Sequence, residues 1–391
     1  MRKNQSGKRN NQWILPVLLL ILVLLTGCSD ASEIDDSDSS ITNGPAESAE
    51  EASSEDPPEV EPAAGESEGA EETMMHVLQE EPVYEAADPA AVKANELGQI
   101  MVLMYHHIGE PEAEWYRTPD NFRRDLEILY EEGFRPIRLI DYARGHINVP
   151  AGMTPIVITF DDGNNNNFNM IQDSSGEWMI DPDSAVGILM NFHEEYPEFR
   201  PHVTFFINGG TPFGQPDWVE FKLNYLVEHG MDIGNHTETH LHLGDVSADR
   251  LQQELARIQL LVNRYVPDYS VNTFSLPFGS RPRDEAVARF VISGAFEGTS
   301  YTNEAVVEVG WDPYHSPYHK DFNPHKIRRV RASETKVDNV GMYDWLATFE
   351  SGGRPRYISD GNPNTIAIPS SREEFLAAGL DNREVIMYDP E

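Results

Sequence analysis

Two short stretches gather side chains whose types and spacing could carry out hydrolysis. Asp161-Asp162-Gly163 sets two carboxylates side by side, and His236-Thr237-Glu238-Thr239-His240 sets two imidazoles four residues apart. Adjacent carboxylates at one buried point repel, which is costly unless a cation sits there or their protonation is split between roles. Two histidines four apart can face the same way on a helical turn and offer two nitrogens to one metal. Each stretch alone also has a plain structural reading, since Asp-Gly is a common turn pair and histidines cap and hydrogen-bond. The second stretch is not the zincin pattern, which needs Glu where this chain has Thr237. One carboxylate with two imidazoles would leave a metal an open position for water, the arrangement of a hydrolytic site.

Both stretches follow apolar, strand-like runs. Pro155–Phe160 (PIVITF) leads into the first, and Met231–Asn235 (MDIGN) into the second. Ile100–Ile108, His202–Ile207, Val271–Leu276 and part of Thr299–Gly310 read as further strands. Between them, Thr118-Pro119 opens a helix that Gly133 follows, Asp183–Tyr196 and Asp217–His229 have helical character, and Ser247 caps a long amphipathic helix. In that last helix Leu251, Leu255, Ile258 and Val262 fall at i, i+4, i+7 and i+11. Strands alternating with helices predict an α/β fold with a parallel sheet or barrel, whose chemistry sits at the carboxyl ends of the strands.

So placed, Thr159-Phe160-Asp161-Asp162-Gly163 resembles the first motif of the polysaccharide deacetylases, the NodB-like carbohydrate esterases of family four. His236–His240 resembles their second motif, and Leu276-Pro277-Phe278-Gly279 part of their third. Met104-Tyr105-His106-His107 is also common in the family's exopolysaccharide and peptidoglycan branches. The resemblance spans roughly residues 99–331 and implies a distorted (β/α) barrel of the NodB type, here taken as a domain over 99–391. It implies that Asp162, His236 and His240 bind a divalent metal, zinc first, with cobalt, nickel or manganese as alternatives. Asp161 is then the general base that takes a proton from the attacking water, and the backbone N–H of Phe278 helps hold the oxyanion.

The implied activity is removal of acetyl groups from N-acetylated sugars of a peptidoglycan, chitin-like or exopolysaccharide chain. Two alternatives stay open: an esterase acting on O-acetylated xylan-like polymers, and a catalytically weak surface protein that binds sugar or serves adhesion. They stay open because the chain departs from the family twice. Ser275 stands where members commonly have an arginine that orients the base, and no Leu-x-Leu-His strand supplies a general acid. His315, His319 and His325 are the remaining candidates for that acid. The loop aromatics Trp115, Tyr116, Trp178, Trp218, Trp311, Tyr314 and Tyr318 could stack on sugar rings, although most large aromatics are packing residues. The last sixty residues hold no motif beyond a turn at Asp360-Gly361.

The formal net charge of −37 over 391 residues is unevenly spread. Residues 1–28 hold four bases and no acid, residues 29–98 hold 21 acids against Lys93 alone, and residues 99–391 hold 45 acids and 24 bases. Such acidity excludes a nucleic-acid partner, because neutralising phosphates needs a basic face. The basic start, the apolar run Trp13–Leu25 and Leu25-Thr26-Gly27-Cys28 resemble a lipoprotein signal peptide over 1–27 with lipid attachment at Cys28, the chain's one cysteine. That single cysteine also excludes a disulfide framework. Residues 28–98, rich in Glu, Ser, Ala and Pro, read as a disordered acidic linker. The resulting expectation is a protein held on the extracytoplasmic face of the cell membrane by a lipid anchor.

Overall fold

The computed structural model describes residues 82–380 and 383–390. The signal segment, Cys28 and the linker up to residue 81 lie outside them. Six parallel strands run in chain order around the fold: β1 (Val102–Tyr105), β2 (Thr154–Phe160), β3 (Val203–Ile207), β4 (Asp232–Asn235), β5 (Thr273–Ser275) and β6 (Ala305–Glu308). Each pairs with its neighbours in sequence, as in Leu103↔Ile158, Thr159↔Thr204 and Phe206↔Gly234.

Closure comes from one short pass of chain. Ile327–Arg328 (β7) pairs with β6, and Val330–Arg331 (β8) pairs with β1. Arg329 lies between the two, so this pass joins both edges and nearly closes the sheet into a (β/α) barrel. Short Phe134–Pro136 adds a further parallel strand beside β2.

Helices cover the outside as the apolar spacing predicts. Helix α1 (Pro119–Glu131) is capped by Thr118, whose Oγ1 accepts from Asn121 N at 3.2 Å, and it buries Phe122, Leu126 and Leu129. Helices α2 (Ala185–Glu195) and α3 (Val219–Glu228) follow, then α4 (Ala248–Tyr265), capped by Ser247 and burying Leu251, Leu255, Ile258 and Val262. The barrel is too narrow for a side chain at every strand position. A Cβ on Gly234 would lie 2.3 Å from Cδ1 of Phe206, so glycine at 234 is what lets that ring fill the interior.

The boundary drawn at residue 98 falls inside packed structure. Ala94 and Leu97 are buried, and the buried Glu96 carboxylate accepts from Tyr357 Oη at 3.0 Å and from Ala367 N at 2.9 Å. Packed structure therefore begins before residue 98, where apolar residues meet the last sixty residues of the chain. Those residues form a helix, Met342–Glu350, and a parallel pair of strands, Thr365–Pro369 and Glu384–Tyr388.

Candidate active site

Strand β2 delivers the first motif to the carboxyl end of the barrel. Asp161 N continues the ladder by donating to Tyr105 O at 3.0 Å, and the Asp161 side chain is buried. Pairing stops at Asp162 (φ 76°) and Gly163 (φ 60°), two consecutive left-handed residues. A Cβ at Gly163 would sit 3.1 Å from Cγ2 of Ile207, so both the turn and the close approach to β3 call for glycine. Left-handed backbone recurs at Thr237, His240 and Phe278, all in or beside the motifs. Such strain, about 1–2 kcal/mol for each non-glycine residue, collects where side chains must be aimed.

The second motif is not the helical turn that its spacing allows. Residues 236–240 form an irregular loop after β4, with His236 N donating to Ile207 O at 2.9 Å. Side chains bolt this loop in place. Asn235 Oδ1 accepts from Thr237 N, Asn208 Nδ2 donates to the carbonyls of His236 and Thr237, and the buried Glu254 carboxylate receives Thr239 N and Oγ1. Positive φ at Thr237 (66°) and His240 (52°) then brings the two rings to one point, their centroids 4.9 Å apart.

Asp162, His236 and His240 are brought together as expected. Asp162 Oδ1 lies 3.4 Å from Nε2 of each histidine, and one ligand atom from each residue falls within 4.8 Å of the others. Nδ1 of His236 is 2.8 Å from the carbonyl oxygen of Ser275, which can only accept. The proton is thereby fixed on Nδ1 and the lone pair of Nε2 faces Asp162, the arrangement in which an imidazole serves as a ligand. Burial pushes the Asp162 carboxyl up, but the adjacent His236 imidazole outweighs it and the group is held below its usual range. Burial and His236 both lower His240, so the cluster favours ligands without protons. Two nitrogens and a carboxylate oxygen, with His240 partly exposed at the mouth, suit a divalent metal.

Asp161 sits deeper and has a different set of neighbours. Both of its oxygens are engaged at 2.7 Å by the guanidinium of Arg329, which is fully buried. Ser275 Oγ donates to Oδ2 at 3.2 Å, and Nε2 of His106 and of His236 each lie 3.9 Å from the same oxygen. Burial raises the Asp161 carboxyl, yet the contacting Arg329 guanidinium overcomes this and keeps it well below the usual carboxylate range. His106 is itself pushed down to about 4 by burial, with Asp161 and Asp162 pulling the other way. Its carbonyl accepts from Asn167 Nδ2 at 2.6 Å, which ties the asparagine run after the first motif to the end of β1.

The histidines expected to hold the general acid lie elsewhere. His315 and His319 stack on one another at 4.3 Å, and His319 stacks on Phe375. The backbone of His325 contacts Asn323 and Arg281, and its ring is turned to the backbone of Asn303. His106 and Arg329 were not singled out as site residues from the sequence. The two adjacent histidines after β1 were a usable signal for the first, whereas nothing in Ile327-Arg328-Arg329-Val330-Arg331 marks which arginine turns inward.

Phe278 occupies the turn after β5 with φ 58°, closed by Gly279 N donating to Leu276 O at 2.9 Å. Its ring is exposed and 4.5 Å from that of His240, so this turn forms one wall of the mouth. Trp115 stands on another side, 4.7 Å from the His106 ring and with Arg331 over its face at 5.2 Å.

Residues 197–290 match the family model described as polysaccharide deacetylase, a span that holds the second and third motifs. No curated protein matches the chain. Several solved structures are similar to it. Streptococcus pyogenes deacetylase PplD in complex with acetate is 17% identical over 64% of this chain and 98% of its own, with a TM-score of 0.48. A polysaccharide deacetylase from Bacillus cereus is 19% identical over 62% and 67%, at 0.45, and IcaB from Ammonifex degensii is 17% identical over 64% and 97%, at 0.42. The span that matches the polysaccharide deacetylase model supplies His236, His240 and Phe278 to the mouth that also holds Asp162.

Proposed function

We propose that this domain is a divalent-metal-dependent hydrolase, zinc being the first choice, that removes acetyl groups from N-acetylated sugars of a cell-wall or extracellular polysaccharide. The observation that supports this most directly is the pairing of Asp162 Oδ1 with Nε2 of His236 and His240 beside a separate, buried carboxylate, Asp161. A bound divalent ion would polarise the acetyl carbonyl and lower the pKa of water. Asp162, His236 and His240 would hold it. Asp161, kept ionised, takes the proton from the attacking water, and Phe278 N–H helps hold the oxyanion. His106, 3.9 Å from Asp161, is the group placed to pass that proton to the leaving amine.

Acetate release from N-acetylglucosamine oligomers with added zinc or cobalt tests this reading. Asp161→Asn is expected to retain metal while turnover falls about 10²–10⁴-fold, the range for losing a general base. Asp162→Asn, His236→Ala and His240→Ala are expected to lose metal. Wild-type turnover in both aspartate variants would overturn the mechanism, and the reverse pattern of metal loss would exchange their roles. A substrate outside the cell accords with lipid attachment at Cys28. Membrane fractionation of Cys28→Ala checks that assignment, retention of unchanged mass counting against it.

A further inference from the structure

We infer that Arg329 is the positioning residue of Asp161, and that it does from the barrel's closing strand what the family's third-motif arginine does from the position held here by Ser275. The inference rests on the deacetylase reading for what Asp161 does, but its geometric part stands independently.

Every N–H of Arg329 has an acceptor. Nε donates to Glu308 O at 3.2 Å, Nη1 to Thr159 Oγ1 at 3.0 Å and Asp161 Oδ1 at 2.7 Å, and Nη2 to Asp161 Oδ2 at 2.7 Å and Ser275 Oγ at 2.9 Å. A planar fork with all five donors used has one orientation, and the carboxylate that receives two of them takes its plane from it. The lone pairs left on Asp161 then face away from Arg329, and Oδ2 has the two Nε2 atoms at 3.9 Å near it. A carboxylate held in this way needs no rearrangement when it accepts a proton.

The neighbours of the fork are small where they must be. Thr159, two residues before Asp161 on β2, and Ser275 on β5 both turn hydroxyls to the guanidinium, and the Phe206 ring lies 5.8 Å from it. An arginine at 275 would compete for the space that Arg329 fills. The exchange is therefore reciprocal: serine at 275 is what admits an arginine from across the barrel. The adjacent arginines do other work, Arg328 pairing with Asp312 at 3.1 Å and Arg331 with Glu114 at 3.0 Å. Because Arg329 is also the residue between β7 and β8, the pass of chain that closes the sheet is the one that aims Asp161.

The test uses the full-length protein with zinc and N-acetylglucosamine oligomers, and compares Arg329→Met, Arg329→Lys and the double variant Arg329→Met/Ser275→Arg. The expected result is a fall in kcat of about 10²-fold or more for Arg329→Lys, with KM within threefold and zinc content unchanged. A lysine keeps the charge but not the fork, so folding is retained while aim is lost. Ser275→Arg placed on Arg329→Met is expected to recover at least tenfold of the lost kcat, a rescue that a merely structural role for Arg329 would not give. A kcat within threefold of wild type in Arg329→Lys, or no recovery in a folded double variant, overturns the inference. Crystal structures of wild type and Arg329→Lys separate this from failure of the deacetylase reading. Should the wild type release no acetate, a single Asp161 rotamer in wild type and a displaced or divided one in Arg329→Lys still support positioning, and an unmoved rotamer refutes it.

Discussion

Two aspartates, one at each end of the barrel strands, are buried to nearly the same degree and end up in opposite states. Asp161 follows β2 at the carboxyl end and is 3% exposed; Asp232 begins β4 at the amino end and is 7% exposed. Burial drives both carboxyls upward. At Asp161 the contacting fork of Arg329 reverses the effect and holds the group low. At Asp232 burial, helped by Asp141, outweighs Arg138, Arg144 and the Tyr269 hydroxyl, Oδ2 has no hydrogen-bond partner, and the group is left up at about 7. Desolvation is common to both sites, and a cation in direct contact decides the outcome. The two ends of β4 make the same point, because Asp232 starts the strand that delivers His236 to the mouth about 13 Å away. The buried Arg329 stands at the end where chemistry is placed.

The severest way to break this comparison is to remove the carboxylate from the paired end. Asp161→Asn leaves the Arg329 guanidinium buried against a neutral amide, and losing one partner of a buried pair costs about 3–5 kcal/mol. Urea unfolding is expected to show a loss of that size. The double variant Asp161→Asn/Arg329→Met should recover part of it, giving a coupling of about 1–3 kcal/mol. A single-variant loss below about 1 kcal/mol would mean that the pair behaves like an exposed one, and the contrast with Asp232 would fall.

A smaller effect, of opposite sign, is expected at the unpaired end. The folded pKa of Asp232 lies above its ordinary value of 3.8. The native state therefore binds a proton more tightly than the unfolded chain between about pH 4 and pH 7. The stabilisation from that proton is complete below about pH 4 and is lost as pH rises to about 7. Asp232→Asn is neutral throughout, so it should match the wild type at pH 4 and exceed it by about 2–4 kcal/mol at pH 8. Melting temperatures at pH 4, 6 and 8 check this. A shift that is the same at all three values would show that Asp232 is not protonated in the folded protein.

What could be read from the sequence follows the same division. The paired aspartates, the two histidines and Phe278 were legible because each lies within a few residues of a strand end, so local spacing carries the information. The long strands and the capped helices α1 and α4 were legible for the same reason, through Thr118, Ser247 and the i, i+4 apolar spacing. Arg329 was not legible, because its role depends on a pairing across the barrel with Asp161, 168 residues earlier in the chain. The closing pass is two residues on each side of it, too short for a periodic pattern, and its three arginines look alike until closure turns one inward. The i, i+4 spacing of His236 and His240 allows a helical turn, but side chains of Asn208, Asn235 and Glu254 impose a loop instead. The structure of residues 89–97 was missed because their apolar partners come from the end of the chain.

The finest adjustment of the comparison is Ser275→Ala, which asks how much of the hold on Asp161 comes from a neutral neighbour. Ser275 Oγ accepts from Arg329 Nη2 at 2.9 Å and donates to Asp161 Oδ2 at 3.2 Å, so alanine removes a bridge while leaving the fork itself intact. The Ser275 carbonyl that fixes the His236 tautomer is backbone and is retained. Loss of one bridging hydroxyl among buried partners is expected to lower stability by about 1 kcal/mol. Without the fork disturbed, kcat should fall less than tenfold and zinc content should not change. Thermal unfolding and acetate release on the purified variant give both numbers. A loss of kcat in Ser275→Ala equal to that in Arg329→Lys would assign the aim of Asp161 to the hydroxyl, and the contrast between the two ends of the barrel would then rest on a hydrogen bond and not on a buried cation.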